Sequence, residues 1–164
     1  MTAAPASEML GRMRLTPRWR KATLTVHVAT SVGWLGVDLV LLALGITGLA
    51  GWRPEVVYPA MGYVGLALFS PLSFLVWLIG VFNAWTTPWG VLRHWWVIAK
   101  LTIVTVMLAL VLLALRPNLV AALEAAGALD RQHRLNLLIA PAVSTTLLVI
   151  ATTLSTYKPW GRRA

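Results

Sequence analysis

The sequence predicts an all-α integral membrane protein, a four-helix bundle with both termini on the cytoplasmic side. Three observations predict it. Of the 164 residues, 59% are hydrophobic and only 12% charged, too little charge to cover a soluble domain of that size. The apolar residues gather into four runs, each long enough to cross a hydrocarbon core of about 30 Å as a helix. The formal charge of +9 is concentrated at the chain ends and in the connections, as topology signals are. No basic stripe with interleaved aromatics runs along a soluble face, so the charge does not mark a nucleic-acid surface.

The chain divides into a basic segment over residues 1–23, a membrane domain over 24–157 and a basic tail over 158–164. The first run, Leu24 to Leu49, is about 39 Å long as a helix at roughly 1.5 Å per residue. It outruns the apolar region of a secretory leader and lacks a small-residue cleavage site, so it is read as a retained helix. Gly51 and Pro54 stop it. The second span, about 60–83, carries Ser70, Pro71 and Ser73 near its middle. Proline there kinks a helix, and the freed carbonyl needs a neighbouring helix or a serine hydroxyl.

Thr86 to Gly90 is a tight turn, followed by His94-Trp95-Trp96, an aromatic belt in the simplest reading. The third span, 95–115, is closed by Arg116-Pro117. In the 118–134 connection Leu119, Ala122, Leu123 and Ala126 keep helical spacing, which predicts a short amphipathic segment on the membrane surface. His133 lies there between Arg131 and Arg134 and is expected to be solvated. The fourth span, 135–157, has Pro141 early and Thr145, Thr152 and Thr156 on one stripe.

Orientation follows from the basic residues. Arg12, Arg14, Arg18, Arg20, Lys21, Arg93, Lys158, Arg162 and Arg163 share one side, and Arg53, Arg116, Arg131 and Arg134 the other. The positive-inside rule puts the larger set, with both termini, in the cytoplasm of a bacterial-type cell. The chain has no cysteine, which removes disulfides, thiolate metal sites, iron–sulfur clusters and covalently attached haem. Hydrolase motifs, a phosphate loop and paired carboxylates are absent from the sequence.

The residues that invite a function lie inside the spans. His27 and Asp38 are eleven positions apart on the first helix, within roughly 20° of one azimuth, with Ser31 and Trp34 between them. Ionisable residues are costly in lipid, so this face turns inward. His27 is a candidate haem or metal ligand; its plainer role is an interhelical hydrogen bond, for instance to a fourth-span threonine. Asp38 is either a proton-relay carboxylate or an aspartate bonded to Ser or Thr across the bundle. Lys100, at a depth similar to His27, either neutralises an anionic ligand such as a propionate or snorkels to the surface. Met107, seven residues beyond, is a conceivable second axial ligand and otherwise packs the core.

Lys21-Ala22-Thr23-Leu24-Thr25-Val26-His27 followed by Gly33-Trp34-Leu35-Gly36 resembles the first helix of bacterial membrane proteins related to copper-resistance protein D and the haem-binding, HemJ-type protoporphyrinogen oxidases. Trp95-Trp96-Val97-Ile98-Ala99-Lys100-Leu101 is similar to their later helix. More closely, residues from about 20 to 163, with the Thr-Pro-Trp-Gly turn and Lys-Pro-Trp-Gly tail, resemble a group of actinobacterial four-helix membrane proteins that carries no known activity. The resemblance implies His27 as a haem ligand and Lys100 as a functional lysine. It fails at Val111, where the oxidase family places a second histidine, so a bis-histidine haem of that kind is not implied.

Two functions are therefore expected. One is a haem b or quinone-interacting redox protein, with His27, Trp34, Asp38 and Lys100 around the cofactor and His27 on the metal. The other is a non-enzymatic accessory or assembly subunit, or a copper- or solute-handling component, working with a membrane-protein partner or a second copy of itself in the bilayer.

Overall fold

The computed structural model describes residues 16–86, 94–125 and 128–159. The turn expected between Thr86 and Gly90, the first dozen residues and the end of the basic tail lie outside them. Four helices carry the described chain: α1 (Pro17–Leu49), α2 (Pro54–Thr86), α3 (Trp95–Glu124) and α4 (Arg131–Tyr157). Each is long and apolar enough to cross a membrane. α1 packs on α2 and α4, and α3 packs on the same two, so α1 and α3 face each other across the diagonal. This up-and-down arrangement follows from short connections between consecutive helices. The start of α1 and the end of α4 share one end of the bundle, called here the terminal end, and the end of α1 and the start of α4 lie at the other, the distal end.

Local chemistry sets the helix ends. α1 closes with a Schellman arrangement: Trp52 N–H donates to Thr47 O at 3.2 Å and Gly51 N–H to Gly48 O at 3.1 Å. Gly51 takes φ 83°, the left-handed region that glycine enters without a Cβ penalty. α4 opens on Asp130, whose carboxylate accepts from the His133 backbone N–H at 2.8 Å and from His133 Nδ1 at 2.7 Å. That N–H, with the His133 side chain, holds the Asp130 carboxyl below the usual carboxylate range. His133 is thus a capping partner at the surface rather than merely solvated.

Pro71 of α2 and Pro117 of α3 each follow a π turn. Gly65–Phe69 forms one ahead of Ser70-Pro71, and Val111–Leu115 the other ahead of Arg116-Pro117. A proline ring collides with the carbonyl four residues back; a wider turn opens that spacing, and π turns inside helices are the usual form it takes. Ser70 Oγ donates to Gly65 O at 2.9 Å, and Ser73 Oγ to Ser70 O at 2.7 Å. The serine hydroxyls therefore serve the disturbed backbone, as the Ser-Pro-x-Ser pattern predicts.

The second π turn also changes the reading of residues 116–124. The sequence ends the third helix at Arg116-Pro117; the structure carries it on to Glu124. Leu119 and Ala122 are completely buried. They pack against the start of α2, where a Cβ on Gly62 would stand 2.7 Å from Leu119 O. The amphipathic spacing of this stretch is that of a helix seated on a neighbouring helix.

The core runs along the bundle axis through Trp34, Leu41, Tyr58, Met61, Phe69, Met107, Leu119 and Leu137. Trp34 and Phe69 meet with ring centroids 6.0 Å apart. The large side chains left exposed, among them Val32, Val40, Phe74, Leu113 and Ile150, form the surface that a bilayer covers.

Candidate functional site: an intramembrane cavity at the terminal end

All four helices contribute to a cavity of about 490 Å³ at the terminal end, within the size range of small-molecule sites. His27 and Ser31 enter from α1, Asn83 from α2, Lys100 from α3 and Ser155 from α4. Leu24, Leu35, Val76, Trp77, Trp96 and Val104 give it apolar walls, and Trp34 lies at its deep end.

Each polar residue has a structural reason for its place. The imidazole of His27 fits beside α2 because Gly80 has no side chain; a Cβ there would lie 3.2 Å from His27 Cε1. Its Nδ1 is enclosed and has no hydrogen-bond partner. Lys100 stands diagonally opposite, within electrostatic reach of the imidazole, and its Nζ donates to Ser155 Oγ. The lysine is therefore held inside the bundle by α4 and does not snorkel outward. Asn83 is buried and donates from Nδ2 to Thr23 O at 3.3 Å, while its Oδ1 is left unpaired.

The unpaired atoms mark this cavity. Among the described residues, His27 Nδ1, Trp34 Nε1, Tyr58 Oη and Asn83 Oδ1 are the buried side-chain atoms without a partner. Three of those four residues, His27, Trp34 and Asn83, line the terminal-end cavity. Buried polar groups are nearly always paired, so exceptions gathered on the residues of one concavity single it out.

The fourth sequence candidate is elsewhere. Asp38 is completely buried, one turn beyond Trp34, and does not line the cavity. Ser144 Oγ lies 2.7 Å from Oδ1 and 2.6 Å from Oδ2, and Thr145 Oγ1 donates to Oδ2 at 2.9 Å. The carboxyl therefore bonds to hydroxyls across the bundle, and the single His–Ser–Trp–Asp face divides at Trp34 into two environments. Met107 is buried in the core and lines a second cavity with Val111, so it does not converge with His27. Among the described residues no group of three or more His, Cys, Asp or Glu is placed to hold a metal ion.

Sequence reasoning missed Asn83, Ser155 and Gly80. Asn83 marks a span end in the sequence, and nothing local distinguishes it from a boundary residue. Gly80 sits in an apolar run, where only a neighbour's approach gives it meaning.

The fold and this cavity define a class, a four-helix membrane bundle with an intramembrane cavity. No family model, characterised protein or solved structure matches the chain, so the reading rests on the cavity itself.

Proposed function

We propose that the protein binds a lipophilic redox cofactor with an anionic edge, haem b, in the cavity at the terminal end of the bundle. The observation that carries this reading is that His27, Trp34 and Asn83, three of the four residues with an unpaired buried polar atom among the described residues, line one apolar-walled cavity beside Lys100. The donor set fits such a group. His27 would be the residue to hold the iron. Lys100 faces it with an ammonium suited to a propionate, and the aromatic and aliphatic walls suit the macrocycle. Bound haem supplies one-electron chemistry; the chain orients it, excludes water and neutralises its acidic edge. The likeness of the His27 and Lys100 segments to haem-binding oxidases supports the same assignment. The same apolar walls would also take a quinone, a second occupant of the same redox class.

An absorbance spectrum of the detergent-extracted protein, as purified and after haem addition, tests the reading. The expected result is a Soret band in the native protein that His27→Ala abolishes and that Lys100→Met weakens through lower affinity. A protein that shows no such band under either condition removes haem. If it also fails to quench or bind an added quinone analogue, the cavity reading falls and the accessory-subunit reading replaces it.

A further inference from the structure

The terminal-end cavity lies among four seams between neighbouring helices, and three of them are tied beside it. Asn83 Nδ2 donates to Thr23 O at 3.3 Å between α2 and α1. Trp77 Nε1 donates to Thr105 Oγ1 at 2.9 Å between α2 and α3, and Lys100 Nζ to Ser155 Oγ between α3 and α4. The fourth seam, between α1 and α4, differs. Among the described residues its hydrogen bonds are those of Ser144 and Thr145 with Asp38, one turn beyond Trp34 at the deep end of the cavity. A close backbone approach, where a Cβ on Gly45 would stand 3.1 Å from Leu137 O, lies farther still toward the distal end. Between Trp34 and the terminal end, no hydrogen bond among the described residues joins α1 to α4.

Helical periodicity shows which residues face that seam. Azimuths on α1 are measured from Asp38, which meets α4, at about 100° per residue. Thr23 and Gly33, which meet α2, lie roughly 60° and 140° to one side; Val28 and Val32 lie roughly 80° and 120° to the other. On α4, Thr152 is seven residues from Thr145 and within roughly 20° of its azimuth, on the flank that meets α1. Val28, Val32 and Thr152 all line the cavity. Yet Val28 is 59% and Val32 65% exposed, and Thr152 is exposed as well. Residues that line a cavity and stay open at the surface form its rim.

Depth identifies what stands outside that rim. Val32 is eight residues, about 12 Å, inside the start of the apolar run at Leu24. The whole run, about 39 Å long, exceeds a hydrocarbon core of about 30 Å by only about 9 Å. Lipid tails, not water, therefore face the seam at Val32.

We propose that the ligand of this cavity enters sideways from the bilayer, through the seam between α1 and α4 rimmed by Val28, Val32 and Thr152, and is a lipid-dissolved amphiphile with an anionic end for Lys100. The inference rests on the cavity being a ligand site, and not on haem being the ligand. Lys100 stands on α3, off the seam, and sets the polarity of the ligand: its ammonium draws the anionic end, while Leu35, Val76 and Val104 take an apolar body. An apolar body that passes from lipid tails to these walls meets no water on the way, so entry carries no cost of apolar hydration.

Thiol labelling in phosphatidylcholine vesicles tests the route, and the absence of native cysteine leaves a single reporter. Ser31→Cys places a thiol in the cavity beside His27 and Lys100, where a positive charge favours the reactive thiolate. Pyrene maleimide dissolved in the bilayer is expected to label it on the order of tenfold or more faster than a sulfonated maleimide confined to the water on both faces. Val32→Phe with Thr152→Phe, which fills the seam, should slow the pyrene reaction on the order of tenfold or more. Val40→Phe, at an exposed position on α1 outside the cavity lining, should leave it unchanged. Val28→Leu with Val32→Leu replaces the phenylalanine pair if that protein loses its helical circular dichroism. Labelling of the seam-filled protein at the unfilled rate overturns the proposal, as does equal labelling by the water-confined reagent. Haem added to the same vesicles should bind more slowly by the same factor when the seam is filled. A seam-dependent pyrene reaction without any Soret band removes haem and supports the lateral route for another amphiphile.

Discussion

Removing the hydroxyls that hold Asp38 should loosen α4 from α1 by an amount that depends on how many are removed. Ser144→Ala and Thr145→Val each delete one hydroxyl with little change of shape. Single interhelical hydrogen bonds in membrane proteins contribute about 0.6 kcal/mol on average and up to roughly 1.7. Each single variant leaves the carboxyl one partner, Thr145 at 2.9 Å or Ser144 at 2.6 Å, so each should cost about 1 kcal/mol. The double variant leaves a completely buried carboxyl with no hydroxyl partner. The desolvation penalty then appears in full, and the loss should reach about 3 kcal/mol, an excess of about 1 kcal/mol over the sum of the singles. Adding Asp38→Val to the double variant should recover most of the loss, because an apolar side chain needs no partner there. Reversible unfolding in mixed micelles, followed by circular dichroism, measures all four variants against the wild type. Losses below about 0.5 kcal/mol throughout, the range of unremarkable surface substitutions, would refute the claim that these hydroxyls lock the two helices.

Other expectations concern packing and capping. Gly62→Leu forces a side chain into the 2.7 Å approach to the α3 backbone at Leu119; overpacking of this kind costs typically about 1–3 kcal/mol, read as a lower melting temperature in detergent. Trp77→Phe removes the 2.9 Å bond from Trp77 Nε1 to Thr105 Oγ1 between α2 and α3, and should cost about 0.6 kcal/mol, matched by Thr105→Val and not added to it in the double variant. Asp130→Ala removes the cap of α4. Because the folded-state carboxyl is held below its ordinary value, the cap's stabilisation is complete above the ordinary carboxylate range and is lost as pH falls through the lowered value. Wild type and variant should therefore melt apart at neutral pH and converge in acid; a gap that persists unchanged in acid would show that the carboxylate is not responsible.

The sequence by itself determined the class of molecule. Hydropathy is a sum over neighbouring residues, so four spanning helices are visible without knowing how they pack. The inward face of α1 was equally local: His27, Ser31, Trp34 and Asp38 share an azimuth through helical periodicity alone. So was the need of Pro71 for a nearby serine. The tertiary structure decided the rest, because it depends on which helices are neighbours and how each is rotated. Asp38 found its partners in Ser144 and Thr145, more than a hundred residues away, only once α4 packed beside α1. The helix running through Arg116-Pro117 depended on a π turn and on Leu119 reaching the glycines of α2, neither of which a local pattern can state. The candidate site itself, four helices converging to leave polar atoms of His27, Trp34 and Asn83 unpaired, is a property of the assembled bundle. A polar atom is left without a partner by what its distant neighbours fail to offer, and no stretch of sequence records that.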